Sequence, residues 1–429
     1  MFALMWILLG TLWCVACLPV SPNREYGILL DAGSSSTKVR VYGWHYAPMQ
    51  MQVPVFVEVY SATISPGIDA LMTVRSGMFD DFVKILEGLK GHIPSDRWSE
   101  TSIYLMATAG LRLLDEEVTS KIMQTIHKLL GNRELNPFRY QPENAHILSG
   151  EEEGLFAWLT VNYLKGYFSA DDTFSQKSFG LIELGGGSAQ IAFIPDDPIY
   201  AGKMPANIAG QEYGVYCHSY LSFGAGSMVR RVVDFLIREN PNANVINNPC
   251  MLKGDSTNHT IGHVTIGIVG EGNASLCESV LRHFLSPAAD EMCSPKPCSI
   301  GQVYQPAIRN NKFFSFGLIY LLAKGFNAIK KDGRLNLVHF QEKARHLCGQ
   351  SLNHVVDTLR VSPKFASRNC QDGLYIPLFM AALGFEPSTQ NVYVADSIKQ
   401  TSIAWSLGAM LYEEERNRYS DLVQRNGEP

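Results

Sequence analysis

Phe179-Gly180-Leu181-Ile182-Glu183-Leu184-Gly185-Gly186-Gly187-Ser188-Ala189-Gln190-Ile191-Ala192-Phe193 is an apolar run holding one acid, then a turn of three glycines and a serine, then a second apolar run. Its periods predict a strand, a tight turn and a returning strand. The same layout stands earlier at Asp31-Ala32-Gly33-Ser34-Ser35-Ser36-Thr37, where Tyr26 to Leu30 leads in and Thr37 to Trp44 alternates apolar with polar. A turn of small residues can aim successive N–H groups at one anion, the hydroxyls of Ser34, Ser35 and Ser36 add donors, and Asp31 can hold a counter-cation. One such hairpin is equally explained by turn formers alone. Two copies, with acids 152 residues apart at the same place in each, point to a duplicated domain with two phosphate loops facing one cleft.

The chain around these hairpins has 429 residues, 46% of them hydrophobic, enough for two domains with real cores. A net charge of -5 without long charge runs speaks against nucleic acid or an anionic membrane surface as the main partner. Phe2 to Val20 is apolar almost throughout and uncharged, with small residues at Cys14-Val15-Ala16, and reads as a secretory signal peptide over 1–20. An uncleaved signal anchor is the alternative. Asn258-His259-Thr260 and Asn273-Ala274-Ser275 are glycosylation sequons, which suit a secreted surface and also occur by chance. Of nine cysteines, seven lie beyond the leader and are spread out, with no CxxC and no histidines at ligand spacing. Disulfides fit an exported chain better than a zinc site, and an odd count leaves one thiol over.

Along the chain, Val53 to Ile64 and Ser102 to Ala107 read as strands, and Met78 to Leu89 and Asp115 to Leu130 as helices. Ala107-Thr108-Ala109-Gly110-Leu111-Arg112 is a further place where a hydroxyl and a glycine follow an apolar strand. Ser149-Gly150-Glu151-Glu152-Glu153-Gly154 opens a helix that Gly166 stops. In the second half, helices are expected over 226–238, 276–284, 313–329, 335–348, 352–360 and 374–383, a short strand over 392–395 and a closing helix over 401–419. Two phosphate loops with acids imply a nucleotide's terminal phosphates and a divalent cation held between two lobes, and hydrolysis then needs a carboxylate to deprotonate water. Glu151, Glu152 and Glu153 are the candidates, although acids in a first turn are also explained by the helix dipole.

DAGSSST, ATAGLR, SGEEEGLFAW with VNYL, ELGGGSAQIAF and the closing Trp405-Ser406-Leu407-Gly408-Ala409-Met410-Leu411, in this order and at these spacings, resemble the conserved regions of the ecto-nucleoside triphosphate diphosphohydrolases, or apyrases. The resemblance runs from about Gly27 to Leu411. It implies an actin-like, RNase H-like α/β fold of two duplicated lobes, with the active site in the cleft between them. The lobe borders then expected are 21–148 with 396–429, and 149–395. It also implies hydrolysis of nucleoside tri- and diphosphates, of the ATP, ADP, UDP and GDP class, to the monophosphate with calcium or magnesium. Carried over by position, Glu153 is the base, and Asp31 and Glu183 hold the metal through water with Thr108, Glu153 and Trp405 in that shell. Gly33, Ser34, Ser35, Ser36, Thr108, Gly185, Gly186, Gly187, Ser188 and Gln190 bind phosphate. The resemblance further pairs Cys250 with Cys277, Cys293 with Cys298 and Cys348 with Cys370, leaving Cys217 over.

Three departures from the family pattern stand out. Glu183 occupies a place usually held by aspartate, and its extra methylene moves the carboxylate by about 1.5 Å. A flexible cation shell tolerates that better than a strict octahedron, which favours calcium. Ser36 stands where cell-surface relatives often carry histidine beside the terminal phosphates, which alters the ranking of tri- against diphosphates. For the nucleobase, Tyr320 is the nearest match, with Phe314, Phe316 and Tyr375 as alternatives that core packing also explains. The polar C-terminal residues, unlike the terminal hydrophobic helix of membrane-tethered relatives, give the expectation of a secreted protein without a membrane span after signal cleavage. Rival readings are a nucleoside diphosphatase of the secretory pathway and a secreted nucleotide-binding protein without turnover.

Overall fold

The computed structural model describes residues 24–33, 36–46, 53–65, 67–68, 77–168, 178–285 and 293–426. The leader over 1–20 and the loop hydroxyls Ser34 and Ser35 lie outside these residues. The first part holds β1 (Glu25–Ala32), β2 (Thr37–His45), β3 (Val55–Ile64), α1 (Gly77–Leu89), β4 (Ser102–Ala107), α2 (Ala109–Arg112), α3 (Glu116–Gly131), β5 (Ala145–Ile147) and α4 (Gly150–Lys165). The second holds β6 (Phe179–Leu184), β7 (Ser188–Phe193), β8 (Lys203–Ile208), β9 (Gln211–Leu221), α5 (Ala225–Glu239), β10 (Val245–Asn248), β11 (Ser256–Ile261), β12 (Val264–Gly270) and α6 (Ala274–Leu285). It continues with β13 (Lys312–Ser315), α7 (Leu318–Gly325), α8 (Leu337–Cys348), α9 (Pro363–Ala382), β14 (Val392–Val394) and α10 (Trp405–Asn426).

The duplication read from the two glycine turns is drawn in the sheets. One sheet has the order β3-β2-β1-β4-β5, and the other repeats it as β9-β7-β6-β13-β14 with β8 added beyond β9. In each, an antiparallel hairpin is followed by a parallel partner, β4 beside β1 and β13 beside β6. The match extends to single residues. Asp31 pairs with Lys38 across the first hairpin and Glu183 with Gln190 across the second. Gly33 N donates to Ser36 O and Gly185 N to Ser188 O, both at 3.0 Å.

Both sheets are covered on both faces, so their central strands read as nearly unbroken apolar runs. Ile28 and Leu30 of β1 pack on one side with Leu86 of α1 and Ile122, Ile126 and Leu130 of α3. Leu29 turns the other way, into a middle layer that it shares with α4, α10 and Phe179 and Leu181 of β6. Ile182 and Leu184 face a third layer with residues of α5 to α9. Strand alternation therefore puts Asp31 on the face of Leu29, and Glu183 on that of Leu181, so both acids point toward the layer that holds α4.

The helix expected over 313–329 is corrected. Lys312–Ser315 is a strand lying in parallel between β6 and β14, and Gly317 turns it into the shorter α7. Phe313, Phe314, Ser315 and Phe316 are all buried, and a strand covered on both faces has no period of two to betray it. The helix expected over 352–360 is a single π turn at His354–Thr358, while that expected over 374–383 begins earlier, with Pro363 in its first turn. The three expected disulfides form, and Cys217 is a buried thiol. No helix among the described residues is long and apolar enough to cross a membrane.

Candidate active site

The head of α4 divides three consecutive glutamates among three tasks, because neighbours on a helix diverge by about 100°. Ser149 is the N-cap. Its hydroxyl accepts from Glu152 N at 3.1 Å, and Glu152 Oε2 accepts from Ser149 N at 2.8 Å, a reciprocal capping box. Glu151 lies against β9, where its Oε1 accepts from Ser219 N at 3.3 Å and stands 3.6 Å from His218 Nδ1. Glu153 turns inward and is buried. The dipole reading of Glu151 and Glu152 thus gives way to two particular contacts.

Glu153 Oε2 accepts from Arg112 Nη2 at 2.5 Å and from Gln190 Nε2 at 3.2 Å. Ser188 Oγ, 2.7 Å from Gln190 Nε2 and 3.3 Å from Arg112 Nη2, joins the same network, and Ser219 Oγ accepts from Gln190 at 3.2 Å. Arg112 comes from α2, beside the first sheet, while Ser188, Gln190 and Ser219 belong to the second. The guanidinium therefore ties the two halves together. Gly150 makes room for it, since a Cβ there would lie 2.5 Å from Arg112 Nη1. A Cβ on Gly187 would lie 2.7 Å from Ala109 Cβ, so the second glycine turn abuts α2 directly.

Asp31 is buried at the end of β1, and its nearest cation is Lys38 Nζ at 3.7 Å from Oδ2. Thr108 is buried and donates its N–H to Ala32 O at 3.1 Å, which sets the ATAGLR turn beside the first loop. Trp405 opens α10, buried and stacked on Phe156 of α4 at 6.4 Å between ring centroids. Glu183 is partly exposed as a residue, yet its Oε2 is shut off from solvent with no hydrogen-bond partner. Tyr320 is half-buried on α7 against the core, with Lys324 Nζ 5.7 Å from its ring centre. Tyr375 is wholly buried, and Phe314 and Phe316 are core residues. Sequence reasoning missed Arg112, Lys38 and Ser219 as site residues. Only Arg112 carried a signal, as the last residue of ATAGLR.

Three carboxylates share one electric field here with the cations Arg112, Lys38 and Arg40. Burial pushes Glu153 up to about 7, with Arg112 opposing and Asp31 adding to the shift. Burial, then the charge of Glu153, pushes Glu183 up to about 8, and burial also raises Asp31 against the pull of Lys38 and Arg40. Such a site suits a divalent cation, which would replace the protons and satisfy Glu183 Oε2. Among the described residues no three acids, histidines or cysteines converge closely enough to hold an ion alone.

A pH prediction follows with a definite sign. Between about 4.5 and about 7 for Glu153, and about 8 for Glu183, the folded chain keeps protons that the unfolded chain has released. Stability of the metal-free protein therefore falls as pH rises through that window, and calcium, by displacing those protons, stabilises more at the top of it than at the bottom. Thermal melts at both ends, with and without calcium, check this. An equal calcium shift at both would remove these acids from the metal's surroundings.

A two-lobed hydrolase acting on phosphoanhydrides is the class that this fold and site define. The chain belongs to the GDA1/CD39 (nucleoside phosphatase) family, whose pattern matches residues 18–425. It is 29% identical to human ectonucleoside triphosphate diphosphohydrolase 3, over 91% of this chain and 78% of that protein. It is 26% identical to probable apyrase 6 of Arabidopsis thaliana, over 91% and 72% respectively. The solved structure of nucleoside triphosphate hydrolases from Neospora caninum shares the fold, with a TM-score of 0.67 at 14% identity over 92% of this chain and 93% of that one.

Proposed function

We propose that this protein is an extracellular apyrase that hydrolyses nucleoside tri- and diphosphates to the monophosphate by in-line attack of water, with Glu153 as base. The observation that carries the reading is the Glu153–Gln190–Ser188 network at the foot of the second glycine turn. Gln190 and Ser188 can hold a water beside Glu153, and the carboxyl's raised pKa suits a group that must take a proton near neutrality. Gly33 to Ser36 and Gly185 to Ser188 supply N–H and hydroxyl donors to the phosphates, so charge developing on the transferred group meets fixed dipoles. Asp31 and Glu183, with Thr108 and Trp405 behind them, would hold calcium or magnesium through its waters. When bound, that cation neutralises phosphate charge and draws electron density from phosphorus.

The relatives' names as ecto-enzymes and apyrases support the substrate class and the compartment. The borders at 148/149 and 395/396 are proposed as the lobe limits, with α4 and α10 packed together in the layer between the sheets. Tyr320 is the proposed nucleobase contact. Ser36, which alters the ranking of tri- against diphosphates, leaves room for a second reading, a nucleoside diphosphatase of the secretory pathway that barely uses triphosphates. Phosphate release from ATP, ADP, UDP and GDP, each with calcium or magnesium, tests both readings. The apyrase reading expects turnover of tri- and diphosphates down to the monophosphate. Release from diphosphates alone would install the second, and binding without release would overturn both.

A further inference from the structure

The two sequons noted above stand in opposite situations in the fold. Asn273 precedes α6 and is fully engaged. Its Oδ1 accepts from Leu276 N at 3.1 Å, its Nδ2 donates to Glu271 Oε1 at 3.1 Å, and its own N–H donates to Pro249 O at 3.0 Å. A sugar on Nδ2 leaves Oδ1 and one N–H in place, but it would have to fit beside Glu271 at the end of a helix where Asn273 is only partly exposed. Asn258 has none of these ties. It lies in the middle of β11, the edge strand of the three-stranded sheet β10-β12-β11, and is exposed.

Register puts Asn258 on the outward face. β12 turns Ile266 and Ile268 into the core, so Gly267 between them faces solvent, and Asn258 pairs with Gly267. On the far side of Gly267 the next residue in the same row is Val245, 60% exposed, and Val269 beside it is 38% exposed. The outward face therefore holds a gap at Gly267, with Val245 across it on β10 and Val269 two residues along β12. Neighbouring strands are about 4.8 Å apart, so the gap spans one to two sugar rings from the Asn258 amide. His259, next along β11, alternates inward and stands 3.5 Å from Asp234, which leaves the Asn258 side unobstructed.

We propose that Asn258 is a modification site bearing an N-linked glycan, whose first sugars lie over Gly267 and against Val245 and Val269, and that Asn273 stays unmodified. The proposal rests on the export read under the proposed function. The glycan would cover an apolar strip and crowd an edge strand that otherwise offers its free backbone groups to another chain.

The full chain, expressed in cells with a eukaryotic secretory pathway, is recovered from medium and lumen and treated with peptide-N-glycosidase in heavy-oxygen water. Peptide mass spectrometry is expected to find the released-glycan label at Asn258 and not at Asn273. Asn258→Gln and Thr260→Ala abolish the gel shift, while Thr260→Ser and Asn273→Gln keep it, with nucleotidase activity unchanged in Asn258→Gln. Label at Asn273, or exported protein without any glycan, overturns the proposal. A chain found in the cytosol overturns the export instead, and the same chain behind a borrowed signal peptide then decides the site by itself.

Discussion

Glu153→Gln binds nucleotide about as tightly as the native chain and releases phosphate slower by roughly 10²- to 10⁴-fold, the usual contribution of a general base. The amide keeps the size of the carboxyl and an oxygen that can accept from Gln190, so the fold has no reason to change. What it loses is the basic carboxylate that takes water's proton. It also loses the charge that faces Arg112, yet an amide oxygen can still accept from that guanidinium, so affinity is expected to stay near the native value. Equilibrium binding of a non-hydrolysed ATP analogue together with single-turnover phosphate release separates the two effects. Turnover within a few-fold of native would dismiss Glu153 as the base. A matched loss of binding would recast it as a structural partner of Arg112. The pH profile of the native enzyme adds an independent check, because a base whose carboxyl is raised by burial gives an activity that declines on the acid side, at a pH that a bound cation draws down from the metal-free value.

Why the three glutamates heading α4 could be read from the chain as candidates, with the resemblance choosing Glu153, while Arg112 could not is a matter of range. The two acids, the glycine turns and the strands around them are local patterns, each complete within about fifteen residues, and the fold repeats them down to the pairing of Asp31 with Lys38 and Glu183 with Gln190. Glu153 sits in a helix opening whose neighbours announce a cap. The bond from Arg112 to Glu153 crosses 41 residues of sequence, with α3 and β5 between, and nothing within ATAGLR says where the guanidinium goes. Ser219 is similar, since its role depends on β9 lying beside β7. The strand at Lys312–Ser315 escaped for another reason. Burial on both faces erased the alternation that marks a strand, and the aromatic run there suits a buried helix equally well.

Arg112→Ala is expected to damage both stability and rate, and to do so in a way that depends on pH. Arg112 and Glu153 side chains are only 13% and 10% exposed, and the guanidinium is the chief influence holding the carboxyl's pKa down against burial. Removing it leaves Glu153 two escapes. Above its pKa the carboxylate stays charged and unpaired in a buried site, which costs about 3–5 kcal/mol of folding stability. Below it the group takes a proton, and most of that cost disappears. The stability difference between native and variant therefore widens as pH rises, in metal-free protein, and the acid limb of the variant's activity moves to higher pH than the native enzyme's. On that limb more of the base is then protonated and turnover falls even where nucleotide still binds. Arg112→Lys, with a charge but no fork to span Glu153 and Ser188, should recover most of the stability and only part of the rate. Chemical denaturation at two pH values and a pH–rate profile make the measurement, and the double variant with Glu153→Gln supplies the control. If Arg112 acts through Glu153, deleting it from the Glu153→Gln protein leaves residual turnover unchanged and stability nearly so. A further large loss of turnover in that background would mean that Arg112 serves the phosphates directly.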